Sequence, residues 1–78
     1  MYQKGDRVLK EDIVDGVLDG IVTNAWNTVD GRVLVQVLWE HSGRHSTLQE
    51  KALLPFTLEN RNMLDARYDK RQARQAQA

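Results

Sequence analysis

Glu40-His41-x-x-x-His45 is the cluster in this chain that most resembles a metal site. Neutral imidazole is a common zinc ligand, and two histidines across a turn can approach one another. The sequence has only these two histidines and no cysteine, so further ligands of those types are missing. Both read as solvated turn residues, and no metal is expected. A run of carboxylates, Glu11, Asp12, Asp15 and Asp19 with Asp6 nearby, lacks the Asp-x-Asp-x-Asp-Gly loop that calcium requires. It reads as a solvated loop or as an acidic patch for a basic partner. Ser42, His41 and Asp30 supply the residue types of a hydrolytic triad but no nucleophile elbow. No phosphate- or dinucleotide-binding glycine pattern occurs. No catalytic residue and no cofactor is expected.

Charge is unevenly placed. The chain has 78 residues, 11 basic and 11 acidic, for a formal net charge of zero. Residues 1–56 carry six basic against eight acidic side chains, and residues 57–78 five against three. In the tail, Arg67, Lys70, Arg71 and Arg74 recur at i, i+3, i+4 and i+7, which gathers them on one helical face. They are the candidate nucleic-acid contacts through phosphate, or contacts to an acidic protein surface. Four cations give only a salt-sensitive affinity, and a neutral chain lacks the basic footprint usual for a nucleic-acid binder.

The elements that must position these residues split at Pro55. All five glycines precede residue 44, and the segment before Pro55 reads as strands. Val33, Val35, Val37 and Trp39 share one face at period two. Asp30-Gly31 before them is a hairpin signal, which pairs that strand with Leu18 to Asn24 or a little beyond. His41-Ser42-Gly43 makes a second turn, and Arg44 to Gln49 returns. Gly5 to Lys10 opens the sheet, Glu11 to Gly16 is an acidic loop, and Ala52 to Phe56 can close the sheet. Gly20 reads as a bend or bulge. Five short strands in about 55 residues predict a small barrel, whose closure hides strand edges. From Leu58 the absence of glycine and proline predicts a helix, capped by Thr57 or Asn60 and frayed beyond Arg71. The expected organisation is a barrel over residues 1–56 and a helical tail over 57–78.

That alternation turns Leu34 and Leu38 outward, where two leucines need cover. The tail supplies it through Leu58, Met63, Leu64 or Tyr68, or else a partner does. Trp39 is expected to pack. Trp26, at a strand-to-turn junction, is the best candidate for a stacking or peptide contact. Trp26, Leu34, Leu38 and Tyr68 are thus the candidate partner-binding residues.

Gly5-Asp6-x-Val8, Gly20-x-Val22, Val35-x-Val37-x-Trp39, Gly43 and Leu53 or Leu54 together resemble the SH3-like small barrels of the Tudor and KOW type. The C-terminal Tudor-like domain of bacterial repair helicases looks similar, as does the polymerase-interacting domain of transcription-repair coupling proteins. The resemblance covers about residues 4–56 and implies a five-stranded SH3-like barrel that binds RNA polymerase or nucleic acid. Its motif consists of turning glycines and packing valines, so it bears on fold more than on function. The Gly-Asp-Arg-Val opening also resembles the type II dihydrofolate reductases, tetramers around one pore with a Val-Gln-Ile-Tyr motif. The matching region, His45 to Glu50, holds no tyrosine, and Glu50 would set a negative charge beside anionic folate and NADPH.

Size limits the remaining choices. One thin core without disulfides relies on a compact barrel, a docked tail or oligomerisation, so a homo-oligomer stays open. No apolar run approaches the roughly 20 residues of a membrane span, and the N-terminus has no signal-peptide pattern. The reading is a small cytoplasmic protein, a non-catalytic binding module for a protein partner near the transcription and repair machinery. The alternatives are direct nucleic-acid binding through the tail and, last, an oligomeric enzyme.

Overall fold

The computed structural model describes residues 2–12 and 16–77. Five antiparallel strands form one sheet: β1 (Arg7–Asp12), β2 (Gly16–Asn27), β3 (Val33–Trp39), β4 (His45–Gln49) and β5 (Leu54–Pro55). A single 3-10 turn, Glu50–Ala52, joins β4 to β5, and a helix, α1 (Leu58–Gln77), ends the chain. The order across the sheet is β4-β3-β2-β1-β5. Among the described residues no ladder joins β4 to β5, so the sheet is open along that seam. The expected opening strand begins two residues later and runs on to Asp12, into the acidic segment. Ile13, Val14 and Asp15 lie outside the described residues.

The β2–β3 hairpin forms where Asp30-Gly31 predicts it. Thr28 N–H donates to Arg32 O, Gly31 N–H donates to Thr28 O, and Gly31 takes a φ of 86° that suits glycine. Thr28 Oγ1 also donates to Asp30, and Arg32 pairs with the same carboxylate at 2.9 Å. The Thr28 hydrogen bond, more than the guanidinium, holds the Asp30 carboxyl below its ordinary range.

Val8, Leu18, Val22, Val35, Val37, Trp39 and Leu53 form the main core on the inner face, with Tyr2, Ala25, Val33 and Leu48 at its margin. Gly20 faces this core. It is the bulge site expected from the sequence only in part: the register slip sits at Thr23, between Val22 and Asn24. Gly20 is there because Val37 and Trp39 occupy the volume a side chain would need.

Trp39 buries its indole in this layer, and its Nε1–H donates to Ser46 Oγ at 2.9 Å. A buried indole N–H needs such a partner. Ser46→Ala is expected to cost about 1–3 kcal/mol, the range for stranding a buried donor. Urea unfolding followed by tryptophan fluorescence would read it.

Tyr2 packs at the core margin, and its backbone N–H donates to Glu50 Oε1 at 3.2 Å. Burial, then the charges of Glu50 and Asp6, raise its phenol above the ordinary 10.0. The folded chain therefore holds this proton longer than the unfolded chain. The resulting stability is fully present below pH 10.0 and is lost as pH rises through the folded value. Urea midpoints across alkaline pH should fall more steeply for the wild type than for Tyr2→Phe.

Helix α1 is capped by Thr57, whose Oγ1 accepts from Asn60 N–H at 3.0 Å. The side chain of Asn60, the other expected cap, instead donates to Pro55 O at 2.9 Å. The helix continues to Gln77, six residues past the predicted fraying point. It packs on β1 and β2. Leu64 is its buried residue, and Leu9, on the outer face of β1, is also buried. Both stand outside the main cluster and make a second, thin apolar layer. Tyr68 lies against Gly16.

Candidate functional site

The outer face of the sheet has two halves. Over β1 and the first half of β2 it is covered by α1. Arg61 Nη1 donates to Asp19 Oδ2 at 2.7 Å, and Arg71 Nη2 lies 2.7 Å from Glu11 Oε1. Arg67 Nη1 is 3.6 Å from the other Glu11 oxygen. The excess positive charge of the tail thus meets the excess negative charge of the hairpin. Two acidic residues expected to form a patch for a basic partner, Glu11 and Asp19, are occupied by the chain's own helix. Asp6 is exposed and accepts from Gln3 N–H within its own loop at 2.8 Å.

Over the second half of β2 and over β3, the outer face is open. Leu34 and Leu38 do point outward and are half-buried. The tail expected to cover them lies elsewhere: Leu58 is 76% exposed, and Leu64 is buried on the β1–β2 side. Leu38 stands opposite Ile21, which is 46% exposed, and Leu34 stands opposite Trp26, which is 37% exposed. Gln36 lies between the leucines, and Thr23 Oγ1 donates to its backbone oxygen at 3.2 Å. Two apolar pairs therefore sit on one face, about 13 Å apart along β3 at 3.3 Å per residue.

The Leu38 pair floors a groove of about 450 Å³. Arg7, Asp19, Glu40, Gly43 and Trp39 also line it. The Arg7 guanidinium is held 3.9 Å above the Phe56 ring, which fixes that cation at the rim. An apolar floor with charge of both signs on its rim suits an apolar side chain flanked by polar ones.

The predicted site residues separate accordingly. Trp26, Leu34 and Leu38 share the open face. Tyr68 does not join them: it lies on Gly16, five residues along β2 from Ile21, or about 16 Å. Arg67, Lys70 and Arg71 gather with Glu11 around a smaller groove of about 240 Å³. Lys70 is exposed, whereas Arg67 and Arg71 are engaged by Glu11. The Arg74 side chain lies outside those described. Among the described residues no group of three or more His, Asp or Glu is placed to hold a metal ion, and no helix is long and apolar enough to cross a membrane.

Ile21 and Arg7 were missed as members of this face. Alternation with the inward Val22 could have turned Ile21 outward. No local signal marks Arg7, which reaches the groove through the pairing of β1 with β2.

No family model matches the chain, and neither a curated protein nor a solved structure matches it.

Proposed function

We propose that the chain is an SH3-like barrel left open between β4 and β5, with a C-terminal helix, and works as a non-catalytic binding module for a protein partner. Two features support the barrel. Strand β2 pairs with β1 through its first half and with β3 through its second, as a strand does where a sheet folds over. Val8 of β1, Val37 of β3 and Leu48 of β4 also meet in one apolar cluster.

The observation that carries the binding reading is the open apolar face, Trp26 with Leu34 and Ile21 with Leu38. A monomeric domain normally covers such a surface or uses it. Here the helix that could cover it is spent on β1 and β2. The partner is a protein segment that offers apolar side chains between polar ones. RNA polymerase or an associated factor is the neighbourhood that the resemblance implies.

Direct nucleic-acid binding is the second reading, favoured by the gathering of Arg67, Lys70 and Arg71 around one groove. Phosphate would have to compete with Glu11 for two of them. A pull-down from bacterial lysate with and without nuclease separates the two. The binding-module reading expects stoichiometric protein partners that survive nuclease and hold in moderate salt. Loss of every partner after nuclease would overturn it and favour the second.

A further inference from the structure

We infer that the free edge of β4 pairs with β4 of a second copy of this chain, in a two-fold antiparallel arrangement centred on Thr47. The two edges of the sheet differ. The β5 edge is two residues long and contains Pro55, which blunts it. The β4 edge is five residues, His45-Ser46-Thr47-Leu48-Gln49, with no lysine, proline, acidic residue or bulge. It carries none of the devices by which exposed edges avoid pairing.

The register supplies the geometry. Trp39 N–H donates to Arg44 O at 2.9 Å. Antiparallel pairs alternate between bonded and non-bonded residues. Ser46 and Leu48, opposite Val37 and Val35, are therefore the residues bonded to β3. His45, Thr47 and Gln49 direct their backbone N–H and C=O groups to the free edge. A two-fold axis at Thr47 lets these three residues pair with the same three of the partner subunit. Thr47 then faces Thr47 of the partner subunit, and His45 faces Gln49 of the partner subunit, with no like charges opposed. The same register brings Arg44 towards Glu50 of the partner subunit at both ends.

Self-pairing also gives continuity. His45 lies beside Leu38 and Gln49 beside Leu34 on the outer face. Joining the edges runs the Ile21–Leu38 row of one copy into the Leu34–Trp26 row of the other. With a formal net charge of zero, the chain has no overall repulsion to oppose this. The inference rests on the edge and not on the open face, so it stands or falls apart from the proposed partner.

Sedimentation velocity of the full chain across a micromolar concentration series tests it. The expected species is a two-chain particle. Thr47→Pro removes an edge N–H but no bond to β3, and should leave a folded monomer by circular dichroism. Arg44→Glu should raise the dimer dissociation constant by roughly tenfold, because each contact occurs twice. Arg44→Glu combined with Glu50→Arg should restore it. A chain that stays monomeric throughout overturns the inference, even if its edge captures some other peptide. So does a dimer indifferent to Arg44→Glu and its charge-swapped partner. If Thr47→Pro does not fold, the Arg44 and Glu50 variants decide alone.

Discussion

Gly20→Ala is expected to lower the unfolding free energy by about 3 kcal/mol, at the upper end of the usual cost of overpacking. A Cβ at Gly20 would collide with Val37 Cγ1 and lie 2.8 Å from Trp39 Cε3. Neither neighbour can retreat. Val37 is fully buried, and the Trp39 indole is tied to Ser46. The strain must pass into the backbone of β2 at the point where its pairing hands over from β1 to β3. The entropy gained by removing a glycine, roughly 0.5–1 kcal/mol, offsets only part of this. A domain of this length has about 4–12 kcal/mol in total. The melting temperature should therefore fall by about 12–24 °C. Ile21→Ala, one residue along but on the open face, should change it by only a few degrees. Thermal melts of the two variants side by side check the contrast.

Leu64→Ala is expected to cost about 2–5 kcal/mol and to release the helix before the sheet. Leu64 is the single buried apolar side chain described on α1, and with Leu9 it makes the layer between helix and sheet. What remains includes the Tyr68 contact with Gly16 and the ion pairs of Arg61 with Asp19 and of Arg67 and Arg71 with Glu11. These are partly exposed pairs, each good for about 1 kcal/mol at most and weakened by salt. In proteins most of a helix's stability comes from tertiary packing, so this 20-residue helix loses its main support when it undocks. Helical ellipticity of Leu64→Ala should therefore fall with added salt, while the tryptophan signal of the sheet persists. A wild-type helix should resist the same salt. Equal salt response in both would mean that Leu64 does not anchor the helix.

Much of this fold is legible because its signals are local. Asp30-Gly31 names its hairpin, the alternation from Val33 to Trp39 names the inner face, and the break at Pro55 names the start of the helix. The site is less legible because it depends on contacts between distant residues. Arg61 meets Asp19 across 42 positions, and nothing in either segment announces the match beyond the sign of its charge. The charge imbalance between body and tail was visible, but it reads equally as two surfaces for outside partners. Period-two reasoning also fails at Thr23. The bulge there adds one residue to β2 and reverses its facing, which turns Ala25 inward and Trp26 outward opposite Leu34. Gly20 was marked by its type, but its reason is the approach of β3, which no window of β2 contains.

Sequence and function connect through where α1 spends its contacts. Its arginines draw it to the acidic hairpin, Leu64 and Tyr68 fix it there, and the apolar pairs over β2 and β3 are left open. The most direct test of the central claim is capture of the nuclease-resistant partner by the wild type, Leu38→Asp and Arg71→Ala, with circular dichroism on each. Leu38→Asp is expected to keep its fold and lose the partner, whereas Arg71→Ala retains it. A folded Leu38→Asp that captures as much partner as the wild type would contradict that claim.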